Sequence, residues 1–349
     1  MLDFRSDTAT MPSPAVRGAM IAAEVGDDYY GDDPSVRRLE DVCRERFGKE
    51  AALFTTTGML ANQLALSAQV RRGHEVVTEY GYHVHQYESA QHAAYSQIVL
   101  NPCVTGDGVL RVADVARAIA SKPREAIYAQ VELVSVENTI GSRAGRLFPI
   151  AELRALRADT QARGLRLHLD GARLFHAHVA TGIALADYAC QVDTLAVCFA
   201  KGLGAPLGSM LMGPRDCIAQ ARRLRMWHGS GFHQVGVCAA AALHALTQEL
   251  DRLAEDHQVA QRLAARLEAH GGFGVKACEV ETNMVFLDSS RWTDDPERFQ
   301  RACLDHGLRV SIVPPAWIRL VICRNVSVAD VPRTVDILAR VAERLAPCH

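Results

Sequence analysis

A chain of 349 residues with 49% apolar and 22% charged side chains has an ordinary globular composition and is long enough for about two domains. Its net charge of −2 leaves no basic excess to neutralise nucleic-acid phosphates, and no apolar run reaches the ~18–20 residues of a membrane-spanning helix. The ten cysteines are scattered without a Cys-x-x-Cys pair, and the charged start Met1-Leu2-Asp3-Phe4-Arg5 lacks a signal core, so a cytoplasmic protein with reduced thiols is expected.

Helical periods alternate with short runs rich in β-branched residues, which predicts an α/β fold with a mostly parallel mixed sheet between helices. Strands are expected at 51–55, 75–78, 97–100, 126–137, 165–170, 194–200 and 209–212. Helices are expected at 35–47, 59–70, 112–119, 150–163 and 214–225, punctuated by Pro149 near a start and by Gly48, Gly73 and Gly164 past ends. From 235 to about 270 the pattern reads as one long helix. Strands at 281–287, 309–312 and 318–323, with helices at 296–306 and 328–346, predict a smaller carboxy-terminal α+β domain. The expected division is 1–250, a large domain with an amino-terminal segment, and 251–349.

Thr55-Thr56-Thr57-Gly58-Met59 runs from a strand into an amphipathic helix. A helix amino terminus binds a phosphate dianion through free N–H groups and the macrodipole, although such a stretch is also an ordinary capped turn. Further on, Asp170 ends an apolar strand, and Lys201 stands among small residues after another. An imine-forming amine needs an uncrowded position, and a carboxylate at a pyridine nitrogen keeps that ring cationic. The two together are what pyridoxal phosphate (PLP) chemistry requires. Taken singly, Asp170-Gly171 is a common turn and Lys201 a common loop residue. With the Thr57–Met59 turn they make a PLP enzyme.

His83 and His85 follow the strand at 75–78. A His-x-His pair also suits a metal, but no third ligand cluster stands out and no metal is expected. A ring-stacked imidazole able to take a proton near neutral pH suits PLP better, with Glu88 orienting it or acting as a second acid/base group. His176 and His178 are expected to be ordinary packed or surface residues of a helix. For a substrate carboxylate the candidates are Arg173 and Arg319, with Ser6 assisting. Arg319 interrupts an apolar strand, where an unpaired charge is costly; a buried ion pair is the other reading.

These motifs resemble, almost end to end, the low-specificity L-threonine aldolases, PLP-dependent enzymes of the aspartate-aminotransferase fold type I. The resemblance is carried by Asp3-Phe4-Arg5-Ser6-Asp7-Thr8, Val25-Gly26-Asp27-Asp28, Tyr30-Gly31-Asp32-Asp33-Pro34 and Glu137-Asn138-Thr139. It continues through His168-Leu169-Asp170-Gly171-Ala172-Arg173 and Lys201-Gly202-Leu203-Gly204-Ala205-Pro206. It implies Lys201 as the Schiff-base lysine, Asp170 at the pyridine nitrogen, His83 stacked on the ring and Thr57, Gly58 and Met59 near the phosphate. It places Ser6, Arg173 and Arg319 at the substrate carboxylate, and Tyr30 in a neighbouring subunit's pocket, so a homodimer or a tetramer built as a dimer of dimers is implied. The implied activity is reversible cleavage of L-threonine, L-allo-threonine and related L-β-hydroxy-α-amino acids to glycine and an aldehyde. β-Elimination, transamination and non-catalytic PLP binding are the alternatives.

The chain departs from the family pattern in four places. A phosphate-side arginine is replaced by His233 within Gly229-Ser230-Gly231-Phe232-His233-Gln234. A Thr-His pair becomes Ile322-Cys323, and the stretch after Thr139 is shorter. A second histidine near the β-hydroxyl has no counterpart; Tyr128 and Gln130 lie in that region.

Overall fold

The computed structural model describes residues 1–123 and 125–346; the last three positions of the expected carboxy-terminal domain lie outside the described residues. Its strands are β1 (Leu2–Asp3), β2 (Ala51–Thr55), β3 (Glu75–Glu79), β4 (Val99–Cys103), β5 (Val131–Glu137), β6 (Arg166–Gly171), β7 (Thr194–Cys198), β8 (Ser209–Gly213), β9 (Met284–Asp288), β10 (Leu308–Arg309), β11 (Ser311–Val313) and β12 (Trp317–Val321). Seven form one sheet in the order β2-β8-β7-β6-β5-β3-β4. Strands β3 to β7 run parallel, and β8 runs antiparallel to both its neighbours. Every residue of β3 and β7 is buried, as expected of parallel strands covered on both faces.

This topology positions the site. The carboxyl ends of β2, β3, β5, β6 and β7 share one edge with the start of β8, because Thr55 and Cys198 both pair with Ser209. Open α/β sheets bind ligands in the crevice outside that edge. The fold type I architecture expected from the sequence is the one found.

The buried apolar side chains form two large clusters and a smaller one around Leu53, Leu64 and Leu211. One large cluster surrounds the large sheet from Val16 to Leu253; the other gathers Val259–Leu345 together with Leu2 and Phe4. The amino-terminal segment is fastened there because β1 pairs in parallel with β10, and Phe4 is completely buried. Burying that ring contributes about 1.5–3 kcal/mol, which anchors Arg5, Ser6 and Asp7 beside the sheet edge.

Several elements differ from expectation for visible reasons. The strand expected from 126 begins only at Val131, because Gln130 Nε2 donates to the Pro123 and Tyr128 carbonyls at 3.3 and 2.9 Å and closes a turn. The long helix divides into Gly236–Gln248 and Leu253–His270. Between them Leu250 is buried and Glu249 is drawn to Ser13 and Arg324. The strand expected at 309–312 splits into β10 and β11, which join different sheets. The helix Pro14–Ile21 was not anticipated, although Ser13 caps it by accepting from Val16 N–H at 3.1 Å and Pro14 opens it.

Candidate active site

The phosphate end is built as its local sequence requires. Thr57 is the N-cap of the helix Gly58–Gln69, its Oγ1 accepting from Leu60 N–H at 3.1 Å, which leaves the hydroxyl hydrogen for a ligand. Gly58 keeps the approach open: a Cβ there would meet nothing closer than Ser209 Oγ at 3.7 Å. Ser209 Oγ is itself buried without a hydrogen-bond partner. A free hydroxyl beside the remaining unbonded N–H groups of the helix's first turn suits a phosphate. Met59, half-buried in the first turn, lies alongside.

Next along the edge is Asp170, 4% exposed at the end of β6. Its Oδ1 accepts from Ala172 N–H at 3.0 Å and its Oδ2 from Asn62 Nδ2 at 2.8 Å. The Asn62 amide also donates to Glu88 Oε1 at 2.8 Å, so it holds two buried carboxylates apart. Its orientation is set by His168, whose Nε2 lies 3.1 Å from Asn62 Oδ1 while Nδ1 faces Thr194 Oγ1 at 2.9 Å. Burial pushes His168 down to about 4, so it stays neutral and can donate to the amide oxygen.

Glu88 is completely buried and takes further bonds from Gln63 Nε2 at 2.5 Å and from His83 Nδ1 at 3.0 Å. His83 is half-buried, with its backbone N–H on Glu137 Oε2 at 2.6 Å. Burial lowers the imidazole pKa, but the Glu88 bond and the charges of Asp170 and Glu137 outweigh it, and the net shift is upward. Glu88 thus orients His83 and raises its proton affinity. The ligand atoms of His83, Glu88 and Asp170 lie within 4.8 Å of one another, but all three are engaged in this hydrogen-bond network.

The carboxylate end contrasts two arginines. Arg173 is buried and forked onto Asp7, with Nε to Oδ2 at 2.8 Å and Nη2 to Oδ1 at 2.7 Å. Burial would raise the Asp7 carboxyl, yet Arg173 and more weakly Lys201 hold it well below the usual range. Arg319, half-buried on β12, touches only neutral oxygens: Ser311 Oγ at 3.1 Å and Arg5 O at 3.3 Å. Burial, then the neighbouring Arg173 charge, lower its pKa. Neither Arg319 nor half-buried Lys201 has an ion-pair partner among the described residues. Ser6 caps the short turn that carries Asp7, accepting from Thr8 N–H at 3.2 Å.

Other expected residues stay apart within one chain. Tyr30 is 77% exposed and packs edge-on against Tyr29. His233 lies on an exposed loop, its Nδ1 3.0 Å from Asp27 Oδ2. That loop is tied to the phosphate end through Arg225, a fully buried cation bonded to Asp28 Oδ2 at 2.7 Å and to the Phe54 carbonyl at 2.8 Å. His85 turns toward the Tyr80 carbonyl, and His176 and His178 lie in the helix Leu174–Thr181 as expected. Tyr128 and Gln130 stand at the amino end of β5, where Gln130 O accepts from Glu75 N–H, so neither replaces the missing second histidine. Asp7, Asn62, Gln63, Glu137 and Arg225 were not singled out. Asp7 and Glu137 sit inside motifs that had been noticed, and only their burial shows what they hold.

The unpaired Lys201 and Arg319, the buried Asp170 and the orphaned Ser209 hydroxyl fit PLP at this edge, and together with the fold they define a PLP-dependent enzyme of fold type I. Comparison with known proteins agrees. A family model described as beta-eliminating lyase matches residues 3–290. Low-specificity L-threonine aldolase 1 of Arabidopsis thaliana is 35% identical over 96% of this chain and 94% of its own. The low specificity L-threonine aldolase of Escherichia coli K12 is 41% identical over 82% and 84%. A Leishmania major threonine aldolase structure superposes with a TM-score of 0.83 at 23% identity, covering 98% of this chain and all of that one. The chain therefore belongs to the beta-eliminating lyase family, in company with the low-specificity L-threonine aldolases, as its motifs led us to expect.

Proposed function

We propose that the protein cleaves L-threonine, L-allo-threonine and related L-β-hydroxy-α-amino acids reversibly to glycine and an aldehyde. One observation carries this reading: a half-buried Arg319 without a carboxylate, on β12 of the three-stranded sheet, lies near the Arg173–Asp7 pair that follows the sheet edge presenting Lys201, Asp170 and His83. An unpaired guanidinium in such a place is a receptor for a substrate carboxylate.

PLP, when bound, supplies a ring that accepts the electron pair of the broken Cα–Cβ bond. Asp170 keeps the ring nitrogen protonated, and its own direction is fixed by Asn62 and Ala172. Arg319 would hold the substrate carboxylate, with the remaining Nη1 of Arg173, whose fork is on Asp7, beside it; that grip would set which bond at Cα is broken. His83, oriented by Glu88, takes the β-hydroxyl proton as the C=O of the aldehyde forms, directly or through a water. A proton then returns to Cα to complete glycine. Lys201 would hold the cofactor through its ε-amine.

Three coarser assignments accompany this reading. The chain works as a homo-oligomer, a dimer or dimer of dimers, in which Tyr30 reaches a neighbouring pocket and His233 serves the phosphate side. It divides near residue 250 into a large and a small domain. It acts in the cytoplasm; no helix of the described residues is long and apolar enough to cross a membrane. The deciding measurement is a coupled aldehyde assay over L-threonine, L-allo-threonine, phenylserine and their D-enantiomers. Glycine and aldehyde in equal amounts from the L-compounds are expected. Pyruvate with ammonia, or a transferred amine, would overturn the assignment.

A further inference from the structure

We propose that Arg252, held by Asp256, is a positioning residue for the cofactor-bearing lysine. It would fix the loop behind Lys201 from the start of the helix Leu253–His270. This inference rests on Lys201 being the residue that binds PLP.

The contact is direct and buried. Arg252 Nη2 donates to the carbonyl of Gly202, the residue after Lys201, at 2.8 Å. The same guanidinium forks onto Asp256, with Nη1 to Oδ1 at 2.8 Å and Nη2 to Oδ2 at 3.1 Å. The side chains are 14% and 3% exposed, so solvent does little to loosen them. Arg252 supplies the one hydrogen bond from a side chain to the backbone of residues 199–207 among the described residues. A planar fork held on two sides fixes direction as well as distance, which a lysine ammonium at the same place does not.

Close packing around Gly202 adds to this hold. A Cβ on Gly202 would lie 2.7 Å from His176 Nε2 and 2.8 Å from Leu253 Cδ2, so glycine is required by close approach. His176 Nδ1 is 2.9 Å from His257 Nε2, next to Asp256 on the same helix. His176 N–H also bonds the Arg173 carbonyl at 3.0 Å. One helix of the carboxy-terminal half thereby meets the Lys201 loop through Arg252, which Asp256 holds, and through Leu253, and it meets the helix that follows Arg173 through His257. Reactive groups must be held within about 0.5 Å by such supporting contacts to work.

The test uses the full-length holoenzyme and three variants: Arg252→Met, which keeps an apolar stem but loses the fork, Arg252→Lys and Asp256→Asn. The readouts are the PLP dissociation constant, the pH midpoint of the visible band of the lysine-linked cofactor, and kcat against KM. Arg252→Met should weaken PLP binding about tenfold, the scale of one charge-assisted hydrogen bond, and shift the band midpoint. kcat should fall more than KM rises. Arg252→Lys should restore part of each effect, and Asp256→Asn should fall between Arg252→Met and the parent. If Arg252→Met does not fold, the other two variants decide. An unchanged dissociation constant and band midpoint, with only a lower melting temperature, would overturn the proposal. Absence of a Lys201-dependent band in the parent enzyme would instead remove the reading on which it rests.

Discussion

The two edges of the seven-stranded sheet treat charge in opposite ways. At the amino edge a cavity of about 470 Å³ is lined by Arg71, Lys122, Arg163 and Arg166, and each has a carboxylate: Glu132, Glu75, Asp159 and Asp193 respectively. At the carboxyl edge Lys201 has none among the described residues, and neither does Arg319, which comes near the Arg173–Asp7 pair from β12 of the three-stranded sheet; both are half-buried. Keeping a cation partly out of water without a counter-ion costs stability. The carboxyl edge is therefore set to receive an anionic ligand, whereas the amino edge has already neutralised itself. A cavity by itself says little about function; the state of its charges says more.

The strongest way to break that contrast is to remove the amine. Lys201→Ala should abolish the visible absorbance of bound PLP and reduce turnover by about 10³-fold or more. Turnover at the parent rate would sink the assignment.

The two arginines sharpen the same contrast. Arg319→Gln should raise KM about 10- to 150-fold, as expected for losing ~1.5–3 kcal/mol of charge-assisted hydrogen bonding, and should leave the denaturant midpoint nearly unmoved. Arg173→Gln should behave differently, because it strands the buried Asp7 carboxylate at a cost of about 3–5 kcal/mol. Equal losses of stability in the two variants would show that Arg319 is a structural cation after all.

Smaller effects test the histidines. Glu88→Gln removes the carboxylate charge that helps raise His83, so the acid limb of the kcat/KM profile should move to lower pH, with about a tenfold loss of rate. A limb that stays in place would separate His83 from proton transfer. Burial pushes His168 and His257 down to about 4 and His176 to about 3, against 6.5 for a free imidazole. The unfolded chain thus binds protons that the native one refuses. Stability present above pH 6.5 is lost as the pH falls toward 4, each histidine adding about 1.4 kcal/mol per pH unit to the slope. Asp256, raised by burial to about 6 from 3.8, works in the opposite sense between those values. His257→Gln should reduce the slope between pH 4 and 6.5 by one proton; an unaltered slope would contradict a neutral buried pair.

Sequence alone determined what depends on neighbours along the chain. The turn at Thr57-Gly58, the helix Ile150–Arg163 and the strand Ala51–Thr55 follow from capping residues and apolar period, and all lie where those signals place them. Lys201 and Asp170 could be singled out as candidates because each ends an apolar run beside small residues. What holds these groups was not legible. Asp7 reaches Arg173 across 166 positions and Asn62 reaches Asp170 across 108, and no local pattern encodes such pairings. The break at Glu249–Arg252 was likewise invisible, because it depends on partners at Ser13, Arg324 and Gly202. Only folding decides which charges find partners, since burial and distance set the cost of leaving one alone. That cost separates Arg319, which meets only neutral oxygens, from Arg173, whose fork is held by Asp7.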